Sequence, residues 1–193
     1  MLWDDLATHG WVLQEEGMEV SLWRELGRFV ETSSLLTPAH VGRGSEKTGS
    51  HAVRGDSILW LQDDGADPLL ATAQAWMENL RHDLNEHLSL GLKRVEAHFA
   101  LYPPGAGYDL HLDQHRGQVG RKITFLVYLN EDWRDEQGGE LELHLESGNR
   151  RKISPLGGRL VLFRSELIPH QVHPAVRARK SLTGWFRDDD PPW

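Results

Sequence analysis

Hydrophobic and polar positions follow two different periods along this chain, and the change falls near residue 92. Before it, apolar residues recur at helical spacing. Val20, Trp23, Leu26 and Val30 within Met18 to Leu36 follow the three- and four-residue steps of an amphipathic helix. Leu69, Ala73, Trp76, Leu80, Leu84 and Leu88 form one stripe over Pro68 to Leu88, the longest helix, with Pro68 suited to its first turn. Leu2 to His9 reads as a short helix stopped by Gly10, Trp11 to Leu13 as an extended piece, and Ser57 to Gln62 as a short strand. Gly42 to Gly55 is polar, with glycines at 42, 44, 49 and 55, and is expected to be a mobile loop.

After residue 92 the period drops to two. Val95 to Tyr102, Tyr108 to Asp113, Ile123 to Asn130, Glu140 to Glu146, Arg159 to Phe163, His170 to Pro174 and Ser181 to Arg187 read as short strands. Pro103-Pro104-Gly105, Gly138-Gly139, Pro155 and Gly157-Gly158 punctuate them. Glu140 to Glu146 alternates strictly, which assigns one face to the core and the other to solvent. Short strands with regular turn signals point to a sandwich or barrel, most naturally an antiparallel jelly roll. The expected fold is mainly β with supporting α-helices: a double-stranded β-helix (jelly roll) with an N-terminal helical layer. One domain is expected over 1–193. It divides into helical support (1–91), a jelly-roll core (92–187) and an acidic tail (188–193).

Composition narrows the functional classes. With 21 basic and 29 acidic residues the net charge is −8, which argues against nucleic acid as a partner, since phosphate binding needs a basic face. Arg150-Arg151-Lys152 and Arg177 to Lys180 could form local basic patches only. Asp188-Asp189-Asp190 reads as a solvated end. The chain has no cysteine, so disulfides and cysteine zinc sites are excluded. No signal peptide is read at Met1 to Asp5 and no apolar run approaches a membrane span, so a cytoplasmic protein without a membrane partner is expected. Eight tryptophans provide apolar surface for a core or a binding groove.

The candidate chemistry lies between Tyr102 and Arg179. His111 and Asp113 are two apart in a strand segment and so project to the same face. A further histidine, His170, would complete a set of two histidines and one carboxylate. That is the facial triad with which non-haem Fe(II) keeps open positions for other ligands. His-x-Asp alone is a weak signal, because 11 histidines and many aspartates make chance occurrence common. His98, in a strand segment, reads as a packed core histidine. His82, His87, His115 and His144 read as surface residues.

The flanking motifs add specificity. Tyr102-Pro-Pro-Gly-Ala-Gly-Tyr108-Asp-Leu-His111-Leu-Asp113 is followed by Thr124-Phe-Leu-Val-Tyr128-Leu-Asn130-Glu-Asp-Trp133 and Gly138-Gly-Glu-Leu141. Then come Pro169-His170-Gln-Val172-His-Pro174 and Arg179-Lys-Ser-Leu-Thr183-Gly-Trp185-Phe186. From about Arg94 to Phe186 the chain resembles the prolyl 4-hydroxylases, which are 2-oxoglutarate- and Fe(II)-dependent dioxygenases, and among them the oxygen-sensing enzymes and their bacterial relatives. Val53-Arg54-Gly55-Asp56-Ser-Ile58-Leu-Trp60 also fits that branch.

The resemblance implies roles for particular residues. His111, Asp113 and His170 would be the iron ligands, and Arg179 would pair with the distal carboxylate of 2-oxoglutarate through its planar fork. Tyr128 would donate to the same carboxylate and Tyr102 would position the co-substrate. Leu141 would form part of the apolar wall, Thr183 would lie near the co-substrate end, and Trp185 would lie close to the metal. Fe(II) is then the metal, 2-oxoglutarate and O2 are co-substrates, and ascorbate is a candidate reductant. The expected reaction is hydroxylation at the 4-position of a prolyl residue in a protein or peptide, with succinate and CO2 as co-products. Bacterial relatives point to a translation elongation factor as target. Two other readings stand beside it: a 2-oxoglutarate oxygenase acting on a free amino acid or small molecule, and a non-catalytic metal-binding jelly-roll interaction protein.

His173 competes with His170, but the two fall on opposite strand faces, and the family spacing to Arg179 selects His170. Lys180 competes with Arg179; alternation admits only one of the two to the pocket, and the family spacing selects Arg179, which would leave Lys180 facing outward. Arg54 and Asp56 read either as an ion pair that organises the loop before the Ser57 strand, the favoured reading, or as a substrate contact. Gly184 replaces a larger apolar residue of the animal enzymes, the Tyr102 to His111 segment is one residue shorter, and the N-terminal cysteine zinc finger is lacking. These departures favour a compact bacterial-type member and leave target identity, oxygen affinity, a sensor role and oligomeric state open.

Overall fold

The computed structural model of the chain describes residues 2–39, 54–61, 67–114 and 120–190. Most of the loop expected at 42–55 lies outside these, as do His115 and the last three residues of the tail. In chain order the elements are α1 (Leu2–His9), β1 (Trp11–Gln14), α2 (Val20–Thr32), β2 (Thr37–Pro38), β3 (Ser57–Trp60), α3 (Pro68–Leu88) and β4 (Arg94–Tyr102). They continue with β5 (Tyr108–His111), β6 (Arg121–Tyr128), β7 (Leu141–His144), β8 (Arg150–Ile153), β9 (Leu160–Arg164), β10 (His170–Val172) and β11 (Arg179–Arg187).

The helices begin where side chains can satisfy their first free N–H groups. The Asp67 carboxylate accepts from Leu69 N at 2.8 Å, just ahead of Pro68. Glu19 does the same for α2 through Leu22 N at 3.2 Å. The α3 stripe buries Ala73, Met77, Leu80 and Leu84, one step off the expected stripe at Met77, which is more deeply placed than Trp76.

Two antiparallel sheets make the body of the molecule. The larger has the order β1-β9-β6-β11-β4-β3-β2 and the smaller β5-β10-β7-β8. Its non-sequential strand order brings residues far apart in the chain side by side: Arg179 pairs with Tyr102, Thr183 with His98, and Ser181 with Tyr128. In the smaller sheet His170 pairs with His111 on one side and Leu143 on the other. One apolar cluster joins the helices to the outer face of the large sheet through Leu26, Val30, Met77, Leu84, Phe99, Phe125 and Phe186. A second fills the space between the sheets with Leu126, Tyr128, Leu141, Leu143, Val161 and Phe163. The helical layer thus stiffens one side of the large sheet and leaves its other face for the site.

The structure departs from the sequence expectations in ways that have physical causes. β2 and β8 were not anticipated: β2 is two residues long, and β8 reads Arg-Arg-Lys-Ile, whose only buried member is Ile153. β5 ends at His111, so Asp113 sits in the bend after the strand. In β7 the polar face is not solvated. Glu142 is buried, because Arg150 Nη1 (3.2 Å), His144 Nε2 (3.1 Å) and His173 Nε2 (2.9 Å) close over it. The His173 hydrogen bond holds its carboxyl below the usual range, and His144 is half-buried beside it, its Nε2 close to Glu142 Oε1 but without a hydrogen bond among the described residues. The acidic run is also not free in solution: Asp189 meets Arg187 and Arg94, Asp190 meets Lys93, and Asp188 meets Lys122. No helix among the described residues is long and apolar enough to cross a membrane.

Candidate active site

The inner face of the large sheet and the edge of the small one enclose a cavity of about 1180 Å³. Alternate residues of β4 (His98, Ala100, Tyr102), β6 (Thr124, Leu126) and β11 (Arg179, Ser181, Thr183, Trp185) point into it, as period-two geometry requires. His111, Asp113, Leu141 and His170 close it from the other side.

At one wall the side-chain donor atoms of His111, Asp113 and His170 lie within 4.8 Å of one another, a set that could hold a metal ion. His111 Nε2 is 3.5 Å from Asp113 Oδ1, and His170 Nε2 is 3.5 Å from Oδ2. Both rings have the same arrangement behind them. His111 Nδ1 lies 2.7 Å from Asp109 O and His170 Nδ1 lies 3.1 Å from Ile168 O. A carbonyl only accepts, so each Nδ1 carries a proton, and Nε2 is the nitrogen each ring can offer to a metal. Asp113 Oδ2 accepts from Thr124 Oγ1 at 2.8 Å, and Thr124 is itself bonded to Ser165 Oγ at 2.8 Å. The Tyr108 ring stacks on His111 with centroids 3.7 Å apart, and Phe163 lies edge-on to His170.

Electrostatics keep this cluster ready for a cation. Burial opposes charge on Asp113, yet the imidazoles of His170 and His111 and the Trp185 indole hold its carboxyl well below the usual range. Burial, partly countered by Asp113, takes His170 down to about 4, so its ring is neutral at neutral pH. An ionised carboxylate beside the neutral His170 imidazole is the form in which these two groups ligate metals.

At the deep end sits Arg179, only 1% exposed. Its Nε donates to Gly139 O at 2.9 Å, and its guanidinium lies over the rings of Tyr102 and Tyr128 at 5.2 and 5.1 Å. Its Nη1 and Nη2 are buried with no hydrogen-bond partner among the described residues, and so is the Tyr128 hydroxyl. Burial raises both the Tyr102 and the Tyr128 phenols, so both remain protonated donors at neutral pH. A buried cation with two idle N–H groups is costly unless an anion meets it. The Gly138-Gly139 turn, with φ of 72° and 77°, delivers the carbonyl that orients Arg179, and a side chain at Gly139 would press on Ala175 and Trp133 at 3.0 Å.

The residues read from sequence sit as follows. Tyr102, Leu141, Thr183 and Trp185 all line the cavity, and Thr183 Oγ1 is 3.1 Å from Ser181 Oγ. Lys180 faces outward and pairs with Glu31 at 3.0 Å, while His173 turns to the outer face and Glu142. Arg54 and Asp56 form the expected pair, with Nε to Oδ1 at 2.6 Å and Nη2 to Oδ2 at 2.8 Å. Arg54 also donates to His98 Nε2 at 3.2 Å and lies over Tyr108. His98 is thus a core histidine that also lines the cavity, and burial, reinforced by Arg54, takes it down to about 3. Thr124, Ser165, Tyr108 and Arg121 were not anticipated. Only Tyr108 and Thr124 left a sequence trace, as polar or aromatic positions inside the two motifs.

Comparison with known proteins agrees with this geometry. The family model of the 2OG-Fe(II) oxygenase superfamily matches residues 97–187. A Pseudomonas putida prolyl-4-hydroxylase structure is 41% identical and superposes with a TM-score of 0.86, covering 98% of each chain. The chain belongs to the prolyl 4-hydroxylase family of 2-oxoglutarate/Fe(II) dioxygenases. A Trichoplax adhaerens prolyl hydroxylase, solved with a hypoxia inducible factor peptide fragment, is 27% identical, with a TM-score of 0.83 over 97% of this chain and 88% of that one. Rat Egl nine homolog 1 is 32% identical over 187 residues, 92% of this chain and 52% of its own length. The chain therefore spans about half the length of that curated relative. The residues fit the groups the family uses: the donor set suits a hard-to-borderline divalent metal, and the idle nitrogens of Arg179 suit a dicarboxylate.

Proposed function

We propose that this protein is a 2-oxoglutarate- and Fe(II)-dependent dioxygenase that hydroxylates the 4-position of a prolyl residue in a protein or peptide, releasing succinate and CO2. The observation that carries the reading is the buried Arg179, with two unpaired nitrogens, in the same cavity as the His111, Asp113 and His170 cluster. A scaffold that only bound metal would gain nothing from burying that charge.

In this reading His111 Nε2, Asp113 and His170 Nε2 hold the metal. Arg179 Nη1 and Nη2 and the Tyr128 hydroxyl bind the distal carboxylate of 2-oxoglutarate, and Tyr102 positions its other end. Metal and co-substrate together supply the oxidative chemistry that puts one oxygen atom of O2 into succinate and the other into the substrate. The chain supplies the rest. Thr124, itself held by Ser165, orients the Asp113 carboxylate, and Leu141 and Leu126 exclude water. Thr183 borders the co-substrate, and Trp185 limits where the substrate ring can sit.

A peptide substrate is supported over a metabolite by the cavity, which at about 1180 Å³ is larger than a site for a small dicarboxylate needs and runs up to Arg94, Arg187 and Asp190 at its mouth. A translation elongation factor in the cytoplasm is the target we favour, consistent with the acidic, cysteine-free composition. Mass spectrometry of host cells with and without the protein tests this. We expect one elongation-factor proline to gain the mass of an oxygen atom only when the protein is present. Succinate production in a lysate with no proline modified anywhere in the proteome would favour a small-molecule substrate instead.

A further inference from the structure

The charged rim of the cavity is one connected network, and it begins in the acidic tail. The Asp189 carboxylate accepts from Arg187 Nε at 2.8 Å and Nη2 at 2.7 Å, and from Arg94 Nη2 at 3.1 Å. Arg187 Nη1 donates onward to Glu96 Oε2 at 2.7 Å. Glu96 Oε1 accepts from Arg121 Nη2 at 3.0 Å. Arg121 covers the Trp185 ring, with its Cζ 3.5 Å from the ring centre, and its Nη1 reaches the Asp113 carbonyl at 3.5 Å. The network therefore ends on the backbone of a residue in the metal-binding cluster and on the aromatic wall beside it.

Two features distinguish this from ordinary surface ion pairing. The side chains of Arg187 and Arg121 are only 8% and 12% exposed, so solvent screens the inner links little. The tail is also seated by shape. A Cβ at Gly120 would lie 2.3 Å from Asp189 Cγ, so the carboxylate fills the space that any other residue at 120 would occupy. Asp188 N donates to Gly120 O at 3.1 Å beside it. A lone guanidinium over an indole can slide and rotate. A carboxylate pinned by a second arginine, itself gripped by two bonds, removes that freedom.

We propose that Asp189, Arg187 and Glu96 are positioning residues for the prolyl substrate, which fix Arg121 on Trp185 and so set the shape of the cavity mouth. This rests on the prolyl hydroxylase reading above. It assigns the tail a part in substrate recognition, and none in co-substrate binding, because Arg179 lies at the other end of β11.

The test uses Asp189→Ala, Asp189→Asn and Gly120→Ala. Gly120→Ala removes no charge and only crowds the carboxylate out of its seat. One readout is the Trp185 indole cross-peak in the 15N–1H spectrum of metal-free protein, assigned with Trp185→Phe. The other is the KM for a prolyl peptide set against the KM for 2-oxoglutarate. All three variants should move the Trp185 cross-peak and raise the peptide KM roughly tenfold, leaving the 2-oxoglutarate KM within about twofold. An unmoved cross-peak and unchanged peptide KM in Asp189→Ala, with normal wild-type turnover, would overturn the proposal. Equal losses in kcat and in both KM values would also overturn it, by marking a general structural role. Wild-type protein that hydroxylates no prolyl peptide, while the cross-peak still moves in the variants, would support the network and sink the substrate assignment.

Discussion

Arg179 is the residue on which the electrostatics of the cavity turn. It is fully buried, it uses one nitrogen on Gly139 O, and it keeps two for a ligand. Charge-assisted hydrogen bonds contribute about 1.5–3 kcal/mol each, so losing the two that Arg179 offers should raise the 2-oxoglutarate requirement by roughly 100-fold or more in a co-substrate titration of Arg179→Ala. Lys180→Ala should change it little, since Lys180 reaches the exposed Glu31 on the far face. Equal effects at 179 and 180 would contradict the assignment. Thr124 acts one step further back. Thr124→Val removes the hydroxyl that holds Asp113 Oδ2, and metal titration of the apoprotein should show affinity falling roughly 10- to 100-fold. The residues that meet in the cavity, His111, Asp113, His170 and Arg179, were legible in the sequence because each sits inside a short motif. Thr124 was not read as a partner of Asp113, nor Ser165 as the residue behind Thr124, because the first contact joins β6 to the bend after β5 and the second joins β6 to the turn after β9, and no local pattern reports hydrogen bonds across 11 and 41 residues.

The elements place these residues through glycines as much as through strands. Gly184 lies midway along β11, on the face turned to the helical layer. A Cβ there would meet Glu96 O at 2.5 Å and the Phe125 ring at 2.6 Å. The Phe125 ring takes up the volume that a larger side chain would need. Gly184→Leu should therefore overpack the sheet by about 1–3 kcal/mol or more and lower the melting temperature by roughly 2–12 °C, read by thermal denaturation. An unchanged melting temperature would show that the layer between β11 and α2–α3 is looser than described. Helix and strand existence was readable from period, and α3 came out at its expected bounds because Asp67, Pro68 and the stripe agree. β8 was unreadable because three of its four residues are exposed and basic, so it shows no alternation. Glu142 was misplaced for a related reason: period two tells which face a side chain takes, and says nothing about the cations that later cover that face.

At the scale of the molecule, the large sheet is a shared wall, with helices on one side and the cavity on the other, and the tail closes the cavity rim from the last strand. That closure carries a pH dependence. The Arg187 hydrogen bonds lower Asp189 from 3.8 to about 2, with burial opposing. A depressed carboxylate stabilises the folded state fully above its unfolded value and loses that contribution as pH falls through its folded value. The difference in melting temperature between wild type and Asp189→Asn should thus be constant above about pH 4 and shrink towards pH 2. A difference that grew on acidification would contradict the tail contact. The central claim is that His111, Asp113, His170 and Arg179 form one site that oxidises 2-oxoglutarate and a prolyl residue together. The most direct measurement is the amount of succinate and of 4-hydroxyproline formed by purified protein with Fe(II), 2-oxoglutarate, O2 and an elongation-factor peptide. The account expects the two products in equal amounts, with both abolished in His111→Ala. Succinate formed at the same rate without peptide, and no oxygen gained by proline, would contradict it.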